Sequence, residues 1–189
     1  MSVLKTIYHF LLDIVQTLLL AASIFLVVYV FFFRPFQVSG KSMYPNFHDG
    51  EYVLTDLISL RFQDLKKGDV VVFQAPPPAE EKDYIKRIIA LAGDSISIRN
   101  GNVYVNNKLF DESLYLSQTV KTHGEQFLHE EETVVVPKNS YFVMGDNRPN
   151  SSDSREFKFI TKDKIIGRSL FVYWPFNRTR WIKNPFNPF

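Results

Sequence analysis

The 189-residue chain contains no cysteine. It therefore forms no disulfide and offers no thiolate as nucleophile or metal ligand, so redox conditions do not limit where it works. Its four histidines, His9, His48, His123 and His129, lack the spacing of a ligand set, and no metal site is expected. The run His129-Glu130-Glu131-Glu132 reads as a solvated charged turn. Neither sign of charge dominates: 22 Lys and Arg face 20 Asp and Glu, for a formal net charge of +2. No basic block is present, so nucleic acid is not an expected partner. Internal repeats are absent as well.

What the chain does have is one long apolar run. From Ile14 to Phe33 no residue carries a charge, and Leu, Ile, Val, Ala and Phe dominate. A helix of that length spans roughly 30 Å, the thickness of a bilayer's hydrocarbon core. Helix is required there because backbone groups in lipid must be paired within the segment. A cleaved leader would show a shorter apolar core followed by a small-x-small site. Phe31-Phe32-Phe33-Arg34-Pro35 follows instead, so residues 1–35 are expected to hold a retained anchor spanning about 14–33. Lys5 flanks it on one side, Arg34 and Lys41 on the other, so charge bias leaves its orientation open.

Beyond Pro35 the sequence becomes a series of short β-rich segments. Glu51–Leu54 follows an Asp-Gly turn, and Val70–Phe73 follows Lys67-Gly68-Asp69. A proline-rich loop over 75–83 leads to Tyr84–Leu91, and Asn100-Gly101 marks a hairpin within Ile96–Val105. Thr133–Val136, Tyr141–Met144 and Ser169–Trp174 continue the pattern. Close strand spacing without a long amphipathic helix predicts a mainly β fold: an antiparallel β domain over 36–181, with a single N-terminal transmembrane helix. A hairpin and insertion occupy about 96–140. Within them, residues 111–132 are polar and poorly patterned, which predicts a mobile loop. The tail, 182–189 with the aromatic stretch before it, either lies on a membrane surface or packs on the domain, the second being the plainer expectation.

Three stretches carry candidate chemistry. Ser42 stands in "SGKSMYP", just after the apolar run, where a loop serine is most often a turn residue. A Ser-His-Asp triad with His48 and Asp49 is one option. Closeness in sequence does not converge side chains in space, however, and His48-Asp49-Gly50 also reads as turn chemistry. A lysine is the other possible base, since a buried amine can lose its proton. Lys86, in "DYIKRIIALAGD", shares a strand face with Tyr84, Ile88 and Ala90, while Arg87 shares the other with Ile85, Ile89 and Leu91. Both faces are apolar, so periodicity leaves open which charge points inward, and Lys86 could equally snorkel to water. The third stretch, "MGDNRPNSSDSR", suits either a plain loop or a hydrogen-bonded support beside a catalytic lysine.

Taken in order, "GKSMYP" after an anchor, "KGDVVVF", "YIKRIIALAGD", "GNVYVNN", "GDNRPNSSDSR" and "GRSLFVYWPF" resemble the type I signal peptidase family. The resemblance implies Ser42 as nucleophile and Lys86 as general base, with Ser151 hydrogen-bonded to the lysine. Asp146, Arg148, Asp153 and Arg155 would hold the site together. The Ser42 backbone N–H would contribute to an oxyanion hole. Gly40 stands where some members supply a second donor from a serine hydroxyl, and Asn46 stands where threonine is usual. Phe36, Val38, Met43, Tyr84 and Ile85 would line shallow pockets.

By this likeness the chain is a membrane-bound serine endopeptidase that removes signal peptides from exported preproteins after small residues, in an Ala-x-Ala pattern. No metal or organic cofactor is implied. Its partners would be preprotein signal peptides and the lipid bilayer, with the oligomeric state open. It would sit in the cell (plasma) membrane, single-pass, with its catalytic domain on the extracytoplasmic side. Two other classes share features with it: a self-cleaving repressor-like Ser/Lys protease, and a membrane-anchored β-rich binding module that has lost activity. The first is soluble and carries a DNA-binding module, whereas this chain has an anchor; retention of Ser42 and Lys86 argues against the second.

Overall fold

The computed structural model describes residues 2–58, 62–79 and 81–187. It opens with helix α1, Ser2–Phe32, of 31 residues. Within it Lys5–Val27 is long and apolar enough to cross a membrane, and none of it is covered by the rest of the chain. This span starts and ends earlier than the expected 14–33. Ile7, Phe10, Leu11 and Leu12 extend the apolar surface before Asp13, and that surface stands exposed. At the other end Phe33 leaves the helix because it pairs with Asp56 across a sheet.

The remaining chain forms two antiparallel sheets. The strands of the larger are β1 Phe33–Gln37, β2 Tyr52–Asp56, β3 Val70–Gln74, β4 Asp83–Leu91, β9 Ser140–Met144, β10 Ile160–Thr161, β11 Ile165–Trp174 and β12 Arg180–Trp181. Their spatial order is β1-β2-β11-β3-β4-β9-β10, with β12 paired to β11. The smaller sheet, ordered β7-β6-β5-β8, joins β5 Ser95–Arg99, β6 Asn102–Val105, β7 Lys108–Leu109 and β8 Thr133–Val135. Strand β1 lies at the edge of the larger sheet and contains Pro35, where a missing backbone donor is tolerated. Each expected strand is present.

Both faces of the central strands are covered, which explains why Val70–Phe73 of β3 and Ile88–Leu91 of β4 read as continuous apolar runs. Val71, Phe73 and Ile88 pack with Leu65, Tyr141, Val143 and Ile165 on one side. On the other, Val70 joins Val38, Met43, Phe47, Val53 and Val172. A third cluster, including Ile89, Ile96, Ile98, Phe142 and Met144, joins the two sheets.

Residues 111–132 are not the loose insertion their composition predicts. Leu116 and Leu128 are buried, and the N–H groups of Phe127 and Leu128 donate to the Arg155 carbonyl at 2.8 and 3.0 Å. Glu112 and Thr122 accept hydrogen bonds from the buried Arg148. Polar contacts hold this segment where an apolar periodicity would otherwise have announced it. The tail packs on the domain: Asn184 Nδ2 donates to the Lys67 carbonyl and to Asp69, and the Phe186 ring lies tilted against Phe110, centroids 4.7 Å apart. Trp174, Phe176 and Trp181 remain exposed.

Candidate active site

Ser42 lies in the loop between β1 and β2. Two short bonds, Tyr44 N–H to the Lys41 carbonyl and Phe47 N–H to the Met43 carbonyl, fold the loop back on itself. Gly40 begins it with φ near +91°, a conformation that L side chains rarely adopt. Its N–H donates to Asp49 Oδ1 at 2.7 Å. Gly40 therefore supplies a turn, and a serine there would carry backbone strain although the space beside it is open.

From β4, Lys86 places Nζ 2.8 Å from Ser42 Oγ. A second bond to the Ile85 carbonyl at 3.2 Å and the Tyr84 ring, 5.0 Å away, fix the amine. Only 3 % of Lys86 is exposed. Burial pulls its ammonium down to about 8 from 10.5, against the carboxylates of Asp153 and Asp146, which favour the charged form. A charged amine donates to Oγ; once neutral, it accepts from the hydroxyl at the same distance. The geometry thus suits proton transfer from serine to lysine. His48 does not take this place. Its ring packs edge-on against Tyr44 and lies near Glu51, 3.5 Å away.

The question of which β4 charge points inward has a double answer, because Arg87 is as buried as Lys86. On the opposite strand face its Nε and Nη2 donate to the two oxygens of Asp146 at 2.9 and 2.7 Å, and Nη1 donates to the Gly68 carbonyl. Burial works against the guanidinium's charge, and Asp146 more than offsets it, raising the Arg87 pKa. Asn46 Nδ2 donates to the same carboxylate at 2.8 Å and ties it to the Ser42 loop.

The stretch from Met144 to Arg155 forms a hydrogen-bonded network that reaches the Ser42 loop, and one of its residues stands apart. Asp153 caps the short helix α2, Ser154–Phe157, accepts from Gly145 N–H at 3.0 Å, and pairs with Arg155. Arg155 reaches the carbonyl of Arg148 at 2.7 Å. Arg148 bonds the Gly145 carbonyl, Glu112, Thr122 and the Tyr115 hydroxyl. Burial disfavours its charge, but Glu112 and its neighbours hold the guanidinium well above the usual range. Asn147 N–H donates to the Ser42 carbonyl at 2.9 Å, and its side chain to the Lys41 carbonyl at 3.0 Å. Gly145 permits this approach: a Cβ there would collide with the Ser42 carbonyl oxygen and with Ser151 Oγ. The exception is Ser151. Its Oγ is buried without a hydrogen-bond partner, so the bond to Lys86 implied by family likeness is not made here.

Beside Ser42 opens a cleft of about 660 Å³, walled by Phe36, Val38, Tyr84 and Ile85 and floored by Ser42 and Lys86. Met43, expected in this wall, instead turns into the core, 1 % exposed, against Val38, Phe47 and Val53. The loop folds back on itself here, with the Phe47 N–H bonded to the Met43 carbonyl, and Met43 lies inside that fold against the core. Sequence reasoning missed Lys41, Lys82, Asn150 and Ser152 at the cleft. It also missed Arg87. An arginine in an apolar strand demands a buried carboxylate, and that signal, with "MGD" to supply the acid, was present. Glu51, Glu112 and Arg180 gave no comparable sign.

A model of the family described as signal peptidase, peptidase S26, matches residues 11–174. The chain belongs to the signal peptidase family. It is 35% identical over 188 residues to signal peptidase IB of Staphylococcus aureus strain MRSA252, covering 94% of this chain and 96% of that one. It is 36% identical over 174 residues to signal peptidase I S of Bacillus subtilis strain 168, covering 90% and 92%. A solved signal peptidase I from Enterococcus faecalis V583 is 26% identical; it covers 56% of this chain and 97% of its own, with a TM-score of 0.46.

Proposed function

We propose that Ser42 and Lys86 are the nucleophile and general base with which this membrane-anchored serine endopeptidase removes signal peptides from preproteins. The observation that carries the assignment is the 2.8 Å contact between a buried, readily deprotonated lysine and a loop serine at the floor of a cleft. Ser42 Oγ attacks the scissile carbonyl while its proton passes to Lys86. The lysine then protonates the leaving amine, and water, deprotonated by the same lysine, hydrolyses the acyl ester. The Ser42 N–H is the backbone donor for the oxyanion, and Gly40 adds no hydroxyl.

An extended substrate fits the backbone around the cleft. Strand β4 pairs with β3 from Asp83 onward, but β9 joins it only at Arg87, which leaves the β9-side edge of Tyr84–Lys86 open to an added strand. Bulky walls from Phe36, Val38, Tyr84 and Ile85 leave shallow pockets that suit small side chains in an Ala-x-Ala pattern. The helix α1 runs directly into β1, so the cleft lies near the bilayer surface. We place the amino terminus in the cytoplasm and the β domain on the extracytoplasmic side.

The test uses the full chain in detergent micelles and a preprotein with alanine at both small positions. Cleavage after the second alanine, read by sequencing the new amino terminus, is expected for the wild type and absent for Ser42→Ala. Cleavage by Ser42→Ala at the wild-type rate would place the nucleophile elsewhere.

A further inference from the structure

The loop that carries Ser42 has no regular secondary structure, so its position depends on what holds it. The front is held by Asn147 and the Asp146 carboxylate, as described above. The back is held by a residue from the far end of the chain. Arg180 Nη1 donates to Glu51 Oε1 at 2.9 Å and Nη2 to Oε2 at 2.7 Å. Nη2 also donates to the Asn46 carbonyl, and the guanidinium sits 5.4 Å over the Phe47 ring. Glu51 is fully buried. Its Oε2 accepts from His48 N–H at 3.2 Å, and its carbonyl accepts from Val38 N–H at 2.8 Å. Burial alone would raise the Glu51 carboxyl, but the Arg180 hydrogen bonds and charge hold it below its ordinary value. One planar fork thus grips both ends of the segment 46–51, just beyond the nucleophile. Arg180 is itself registered on the sheet through its pairing with Val172.

We propose that Arg180 is a positioning residue, a clamp from the C-terminal segment that sets the Ser42 loop at hydrogen-bonding distance from Lys86. The inference rests on the reading of Ser42 and Lys86 as the reacting pair. A guanidinium suits the task because it satisfies two carboxylate oxygens and a carbonyl at once, which an ammonium on a flexible stem does not do in one geometry. Phe36, Tyr84 and Ile85 of the cleft wall lie on β1 and β4, whose ladders the guanidinium does not join, so substrate binding survives its loss while attack geometry does not.

Full-length Arg180→Met and Arg180→Lys, in detergent micelles with a signal-peptide substrate, test the clamp. A misplacement of about 1 Å costs on the order of 10²-fold in rate. Arg180→Met is expected to lose roughly that much in kcat with KM changed by less than about two-fold. Arg180→Lys is expected to recover part of the loss. Unchanged kcat in Arg180→Met, or a raised KM at constant kcat, overturns the proposal. Failure of both variants to fold also overturns it, since Arg180 would then support the fold alone. An inactive wild type, or an active Ser42→Ala, would count against the reacting pair and is scored separately on those proteins.

Discussion

Replacing Lys86 by methionine should make the protein inactive and, at neutral pH, more stable. Burial lowers the Lys86 amine to about 8 from 10.5. That difference corresponds to about 3 kcal/mol of cost for holding the ammonium in the folded chain. Below about pH 8 the folded and unfolded chains both carry the proton, and the folded state bears the whole cost. Between about 8 and 10.5 the unfolded chain binds more protons, so wild-type stability rises with pH across that window. Methionine keeps an apolar stem beside Tyr84 and gives up the hydrogen bonds to Ser42 and the Ile85 carbonyl, together worth about 1 kcal/mol. The net expectation at pH 7 is a variant more stable by about 2 kcal/mol. By about pH 10.5 that advantage should vanish and reverse to about 1 kcal/mol in favour of wild type. Urea unfolding of both full-length proteins in detergent micelles, followed by the fluorescence of Trp174 and Trp181, measures the difference at the two pH values. A difference that does not change with pH, or a methionine variant less stable at pH 7, would refute the reasoning. Lys86→Arg should be inactive and less stable than wild type, because its charge cannot be discharged.

Gly145→Ala should cut activity sharply and cost about 1–3 kcal/mol of stability, because its Cβ meets the Ser42 carbonyl oxygen and Ser151 Oγ; thermal unfolding and turnover on one preparation check both. Asp146→Asn leaves the Arg87 guanidinium short of its counter-charge and should cost about 3 kcal/mol. It also removes a carboxylate that favours the charged Lys86, so the acid limb of the pH–rate profile should move to lower pH. Glu112→Ala should release residues 111–132 from Arg148, seen as new cuts there in limited proteolysis.

The anchor was legible because a bilayer imposes a long uncharged run, although its ends were not. Phe33 belongs to β1 for a reason, pairing with Asp56, that no local composition reveals. The strands were legible from turn signals and β-rich segments. Lys86 was ambiguous in periodicity since the sheet is covered on both faces, and only the ordered set of motifs singled it out. Met43 and Ser151 were misjudged because motif likeness carries residue identity and not side-chain direction. The packing of 111–132 rests on Arg148 reaching Glu112 and Thr122, contacts between distant, individually unremarkable polar residues. Arg180 is the extreme case: its bond to Glu51 spans 129 positions, and nothing near either residue announces the other.

The pH dependence of kcat/KM on a signal-peptide substrate tests the Ser42–Lys86 pair most directly, because it reports the free enzyme's essential base. Activity should rise through an apparent pKa of about 8, the value to which burial brings the Lys86 amine. Lys86→Met should show no such limb because it shows no turnover. A wild-type limb near about 6.5, the range of an ordinary histidine, would contradict the lysine as base.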